Sequence, residues 1–291
     1  MSAAQASTDA AKAYCARAEA CAPAYVQLQW GDTGMCSSRL AAKLQGSLSS
    51  SGTSDTVSQT ESCAQALPSM SCDDLLGGNV AGPCRASPGT LANGAACGDD
   101  SQCTGGHCNV ASNQICGVCT TFAAAGASCS VSGDCDHGLT CLGTPAKCVA
   151  YVAMGGMCDA THPCLPTLGC KNGACAAPDA AGATCNQMGP QSCDNLHGVF
   201  CNGQTSKCQN LGYAKAGAAC GLVSGTITAC QGVSTNVGAE CKGLGAMSST
   251  GTCQAPAADG SSCDATNGPF CTSPSICVNG ACKIDDPSGC H

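Results

Sequence analysis

The chain has 291 residues, of which 32 are Cys, one is Trp, four are Tyr and three are Phe, and its formal net charge is −8. Cysteine at this density marks a disulfide scaffold, which persists only outside the reducing cytosol and takes over the work of a bulky core. With 11 Lys plus Arg and no basic cluster there is no nucleic-acid surface to expect, and no apolar run approaches the ~18 residues of a transmembrane helix.

The opening stretch, MSAAQASTDAAKAYC, lacks the basic and apolar regions of a secretory signal. We expect an exported mature form with a start Met added; a lipid-anchored bacterial precursor cut behind its anchor would read the same. The absence of any Asn-x-Ser/Thr sequon leans towards a bacterial source.

Residues 1–85 read as helical. STDAAKAYCARAEAC predicts a first helix with Ser7, Thr8 and Asp9 as candidate caps, since it is rich in Ala, Lys, Arg and Glu. A second helix is expected around Met35–Leu48. A third follows in SDTVSQTESCAQALPSM, capped by Ser54 or Asp55 and stopped near Pro68, and a short fourth in SCDDLLGG, stopped by Gly77 and Gly78. Cys15, Cys21, Cys36, Cys63, Cys72 and Cys84 are expected to close this domain on itself, and 85–94 reads as a linker.

The remainder, 86–291, reads as six four-cysteine modules in tandem, beginning near Cys97, Cys129, Cys158, Cys185, Cys220 and Cys263, each reached through a Gly- and Ala-rich stretch such as AAAGASC or DAAGATC. In CKNGAC (170–175) and CVNGAC (277–282) the Asn-Gly pair predicts a type I′ hairpin turn, which sets the third and fourth cysteines opposite each other on one face. A bond directly across that hairpin would leave the preceding loop unstapled. The expected pairing is therefore first to third and second to fourth: Cys129 with Cys141, Cys135 with Cys148, Cys158 with Cys170, Cys164 with Cys175, Cys263 with Cys277, and Cys271 with Cys282. Two cysteines remain, Cys290 and one of Cys116 and Cys119, taken to be Cys119. They must pair, remain free or link chains; the expectation is either that the array curls back on itself so that Cys290 meets the first module, or that the first module exchanges a bond with the helical domain.

The units GASCSVSGDCDHGLTCLGTPAKC and GGMCDATHPCLPTLGCKNGAC resemble the cysteine-rich module named after the N-terminal region of Dickkopf proteins, and more closely its tandem arrays in exported proteins of myxobacteria. In animals such modules suggest extracellular protein binding. The bacterial arrays imply no assigned activity, and no functional residue is carried over.

Other chemistry is sparse. Cys116-Gly-Val-Cys119 has redox-motif spacing but no βαβ context. His107, His137, His162 and His197 fall one to a module at differing offsets, which argues against a metal ladder. The acidic loops CGDDSQC and CDATHPC lack an EF-hand pattern. Tyr25 and Trp30, with Gln27 and Gln29, form the one aromatic and amide cluster; it is either a plug in the helical core or a ligand contact. The expected architecture is a small disulfide-rich protein: an N-terminal helical bundle, then a tandem array of stapled β-hairpin modules, quasi-one-dimensional in its contacts. The expected role is an exported extracellular or cell-surface structural or binding protein, non-catalytic and without cofactor or metal. Its partner would be an unknown protein or surface polymer, contacted through residues 1–85. The alternative is a secreted inhibitor or ligand of a protease or receptor, using the long insertion 221–241.

Overall fold

The computed structural model describes residues 1–80, 82–111, 113–186, 192–232, 240–245 and 248–290. An N-terminal helical region precedes a series of small strand pairs, and every cysteine is in a disulfide. No helix among the described residues is long and apolar enough to cross a membrane.

Five helices occupy the first 76 residues. Helix α1, Ala3–Cys21, is capped by Ser2, whose hydroxyl accepts from the Gln5 amide. Ser7, Thr8 and Asp9 thus lie inside the helix rather than at its start, because alanine at 3, 4 and 6 lets it begin earlier. Helix α2, Pro23–Trp30, lies between the first two expected helices, with Pro23 at its first position, where the missing N–H costs nothing. Helix α3, Thr33–Ser49, is capped by Asp32. Helix α4, Val57–Ala66, starts from Thr56 rather than Ser54 or Asp55; the Thr56 hydroxyl accepts from Gln59. Helix α5, Cys72–Leu76, is capped by Ser71 and ends at Gly77. The α1 core face is Ala6, Ala10, Ala11, Cys15 and Ala18, so α3 approaches closely enough for the Cys15–Cys36 bond, with Cα atoms 6.0 Å apart.

All six modules share one backbone recipe. A glycine three residues before the first cysteine takes positive φ: Gly94, Gly126, Gly155, Gly182, Gly217 and Gly260, at 79–92°. Its N–H donates to the carbonyl of the fourth cysteine, and the fourth cysteine's N–H donates back to the residue after that glycine; in the third module these are Gly155 N to Cys175 O, 2.7 Å, and Cys175 N to Gly156 O, 2.8 Å. The residue six before the first cysteine pairs in parallel with the second cysteine, as Leu91 with Cys103, Val152 with Cys164 and Ala257 with Cys271. The third and fourth cysteines face each other across the hairpin, Cys170 opposite Cys175 and Cys277 opposite Cys282, with Asn172, Gly173, Asn279 and Gly280 all at positive φ in the turns.

The bonds run first to third and second to fourth in every module. They include Cys129–Cys141, Cys135–Cys148, Cys158–Cys170, Cys164–Cys175, Cys263–Cys277 and Cys271–Cys282. The module interiors are largely sulfur: in the first, Cys97, Cys103, Cys108 and Cys119 form the buried cluster with Leu91 against it. The fifth module carries its extra residues as strands. Ala219–Val223 and Thr226–Cys230 form a hairpin within a five-stranded sheet, so this half of the long insertion is sheet with an exposed tip at Ser224–Gly225. Residues 233–239, the rest of that proposed inhibitory segment, lie outside the described residues.

The compact units do not follow the expected division at residue 85. One comprises 1–68, 86–121 and 211–291; the other comprises 69–85 and 122–210. In the second unit Asp73 of α5 accepts from the Thr167 amide and hydroxyl, at 3.0 and 2.7 Å, and Arg85 lies 3.6 Å from Asp136. The reason is polar side-chain contacts on α3 and α5, which bind distant modules to helices.

Candidate functional site

The densest set of specific side-chain contacts lies in the first unit, where one face of α3 receives the first and the last modules. Arg39, Lys43, Gly46, Ser47 and Ser50 recur at helical spacing and so share that face. Arg39 donates through both terminal nitrogens to Asp259, at 2.5 and 2.8 Å, to the Ser275 hydroxyl at 2.6 Å, and to the carbonyls of Thr272 and Ser273. Ser275 donates in turn to Asp259. The Arg39 hydrogen bonds, with Ser275, hold the Asp259 carboxyl below the usual carboxylate range. One turn on, Lys43 pairs with Asp285. Gly46 leaves room for the segment that follows: a Cβ there would sit 2.3 Å from an Asp286 carboxylate oxygen.

The end of the same helix grips the first module. Ser47 donates to Asp99, 3.2 Å. Gln102, fully buried, donates to the Ser51 carbonyl and accepts from the Gly98 and Asp99 amides. Ser54 N donates to the Ser101 carbonyl at 2.8 Å, and Thr90 N to the Gly52 carbonyl at 2.9 Å. Desolvation, then the neighbouring Asp99 carboxylate, pushes the Asp55 carboxyl up.

A disulfide completes the seam. Cys116 bonds Cys290, with Cα atoms 5.4 Å apart. The chain does curl back on itself, and the strictly neighbour-to-neighbour array is corrected: the sixth module touches the first. The spare cysteine is Cys116, not Cys119. Cys119 sits directly opposite Cys108 in the hairpin register and bonds Cys103, because only that position turns its sulfur into the module interior. A sequence signal for this exists. From fourth cysteine to the next module's glycine there are seven residues at Cys148–Gly155, Cys175–Gly182 and Cys253–Gly260, and Cys119–Gly126 fits while Cys116 does not. Between α3 and the two modules lies a cleft of about 300 Å³, bordered by Lys43, Gly98, Asp100, Gln114, Ile276 and Asp285.

The aromatic cluster divides. Trp30 is 7% exposed, packed in the helical core, and its indole N–H has no partner among the described residues. Tyr25 meets it edge to face at 5.3 Å and is 37% exposed, so Tyr25 is the member that a ligand could touch. Gln27 accepts from Gln231. Burial, reinforced by Tyr25, pushes the Tyr14 phenol up to about 12.

Three of the module histidines hold local partners, His107 with Asp100, His162 with Asp159 and His197 with Asp194, while His137 meets the Gly78 carbonyl. In at least five modules three sulfurs lie within 4.8 Å of one another, a spacing that would suit a metal, but all are in disulfides and none is a thiolate. In the acidic loops the carboxylates cap their own backbone. Asp159 accepts from Thr161 and His162, and those bonds, the Thr161 amide foremost, hold it well below the usual range. The Cys116-x-x-Cys119 sulfurs take separate partners and do not form one redox pair.

No protein-family model matches the chain, and no curated protein or solved structure matches it.

Proposed function

We propose that the chain is an exported extracellular or cell-surface protein, structural or binding in role and without catalysis of its own. The observation that carries this is the oxidation of all 32 cysteines, whose sulfurs supply most of the module interiors. Such bonds persist in an oxidising compartment, and such an interior keeps its form without a large apolar core. The charged side chains brought together at the seam, Arg39, Lys43, Asp259 and Asp285, join the last module to α3. The likeness of the repeats to Dickkopf N-terminal-type arrays supports the same reading. The partner is a protein or surface polymer, and the exposed edge of Tyr25 on the helical region is where we place its contact. A secreted inhibitor is the second reading. It is favoured by the exposed hairpin tip at Ser224–Gly225, both residues at positive φ.

Intact source cells treated with a membrane-impermeant amine-reactive biotin reagent test the location. Labelling of this chain before lysis, with no free thiol by alkylation, is the expected result. Labelling only after lysis, or a substantial pool of reduced chain, would overturn it.

A further inference from the structure

We propose that Cys116–Cys290 is a thiol-exchange site: the one disulfide of this protein that small extracellular thiols open selectively, with the incoming thiol captured on Cys116. Among the 32 cysteines Cys116 alone is exposed; the rest are buried or half-buried. Its partner is 2% exposed, and its sulfur lies against Gly98, where a Cβ would come within 3.0 Å of it. Exchange requires a thiolate to approach one sulfur in line with the bond, so access decides both which disulfide reacts and which sulfur is attacked. Cys116 is the exposed residue of the pair, so its sulfur is the one attacked, and Cys290 is the leaving group.

Topology favours the same bond. A module disulfide spans 11–23 residues, and a second disulfide in the same module keeps its two sulfurs close after reduction, so it closes again at once. Cys116 and Cys290 are separated by 174 residues and share no module. Their reclosure depends on the docking of the last module through Arg39–Asp259 and Lys43–Asp285. Those contacts keep the opened form assembled, which makes the exchange reversible.

Gly98, which lies against the Cys290 sulfur, also borders a cleft that presents Asp99, Asp100 and Asp285 against the single ammonium of Lys43. Cationic thiols are therefore preferred over anionic ones. The thiolate RS⁻ attacks Cys116 Sγ, the S–S bond breaks, and Cys290 leaves as a thiolate that takes a proton from water. A second RS⁻ then attacks the RS–S bond on Cys116 and releases RSSR and the Cys116 thiolate. Two thiols supply the two electrons.

Oxidised full-length protein is exposed briefly to cysteamine near pH 8, quenched with excess N-ethylmaleimide and peptide-mapped. When half the chains have reacted, cysteamine should be found on Cys116 and maleimide on Cys290, with the other thirty cysteines still paired. This opening should be at least about 10-fold faster than that of any other bond. Cysteamine should outpace glutathione, corrected for thiolate content, by several-fold at low salt, with the gap narrowing in 1 M salt. The paired variant Cys116→Ser, Cys290→Ser should lose the fast phase. A different bond opening first, an adduct on Cys290, all disulfides opening together, glutathione matching cysteamine, or a fast phase that survives in the variant would each overturn the proposal.

Discussion

The Arg39 guanidinium holds Asp259 with both terminal nitrogens across 220 residues of chain. The pair is not an ordinary surface salt bridge. Its carboxylate is shared with Ser275, and the guanidinium also reaches two backbone carbonyls. A planar fork can make all of these bonds at once, whereas a lysine ammonium cannot.

Arg39→Lys should therefore loosen the last module while leaving the helices intact. Partial solvent exposure of the pair limits the loss to about 1–2 kcal/mol. Hydrogen exchange should show amides of 257–283 exchanging roughly 5- to 30-fold faster, with those of α1 unchanged. Equal acceleration in α1 would mean that the contact is not local.

The same pair sets a response to acid. Asp259 has a lowered folded-state pKa, so its contribution is complete above the unfolded value near 3.9 and is lost as pH falls through the folded value. Protection of 257–283 should persist through mildly acidic pH and fall only as pH drops below the ordinary carboxylate range. Asp259→Asn should flatten that dependence.

Two glycine substitutions separate contact from backbone strain. Gly46→Ala drives a methyl group into Asp286 and Pro287 and should cost about 1–3 kcal/mol, read as a lower thermal midpoint. Gly155→Ala meets nothing within 4 Å and suffers only its φ of 82°, so about 1 kcal/mol is expected. A larger penalty at Gly155 than at Gly46 would refute this ordering.

Alkaline titration reads the helical core. Tyr14 ionises at about 12 in the folded chain against 10 when free. A raised pKa means that the protonated phenol is favoured by folding. The associated stability is present below pH 10 and drains away between pH 10 and 12. Absorbance at 295 nm should show a phenol titrating near 12, and Tyr14→Phe should remove that step, although burial also raises Tyr25 and Tyr213.

Intact mass before and after reduction should differ by 32 hydrogens, with no zinc released. Loss of one module bond, as in Cys164→Ser with Cys175→Ser, should cost about 3 kcal/mol on the chain-entropy account. A loss confined to the third module, seen by hydrogen exchange, would distinguish a local staple from a global one.

Much was determined locally and was therefore written in the sequence. Asn172-Gly173 and Asn279-Gly280 prescribe their turns because both residues tolerate positive φ, and the hairpin then sets which cysteines share a face. The six glycines three residues before each first cysteine mark the modules for the same reason. Tertiary structure alone decided what lies between distant segments. That Arg39 would find Asp259, that Trp30 would be buried while Tyr25 kept an exposed edge, and that Cys290 would return to Cys116 depend on which surfaces meet through space. A run of four cysteines carries its own geometry within some 25 residues. A contact spanning 174 or 220 residues has no local propensity to announce it, and it forms only because α3 offers one polar face on which two modules dock together.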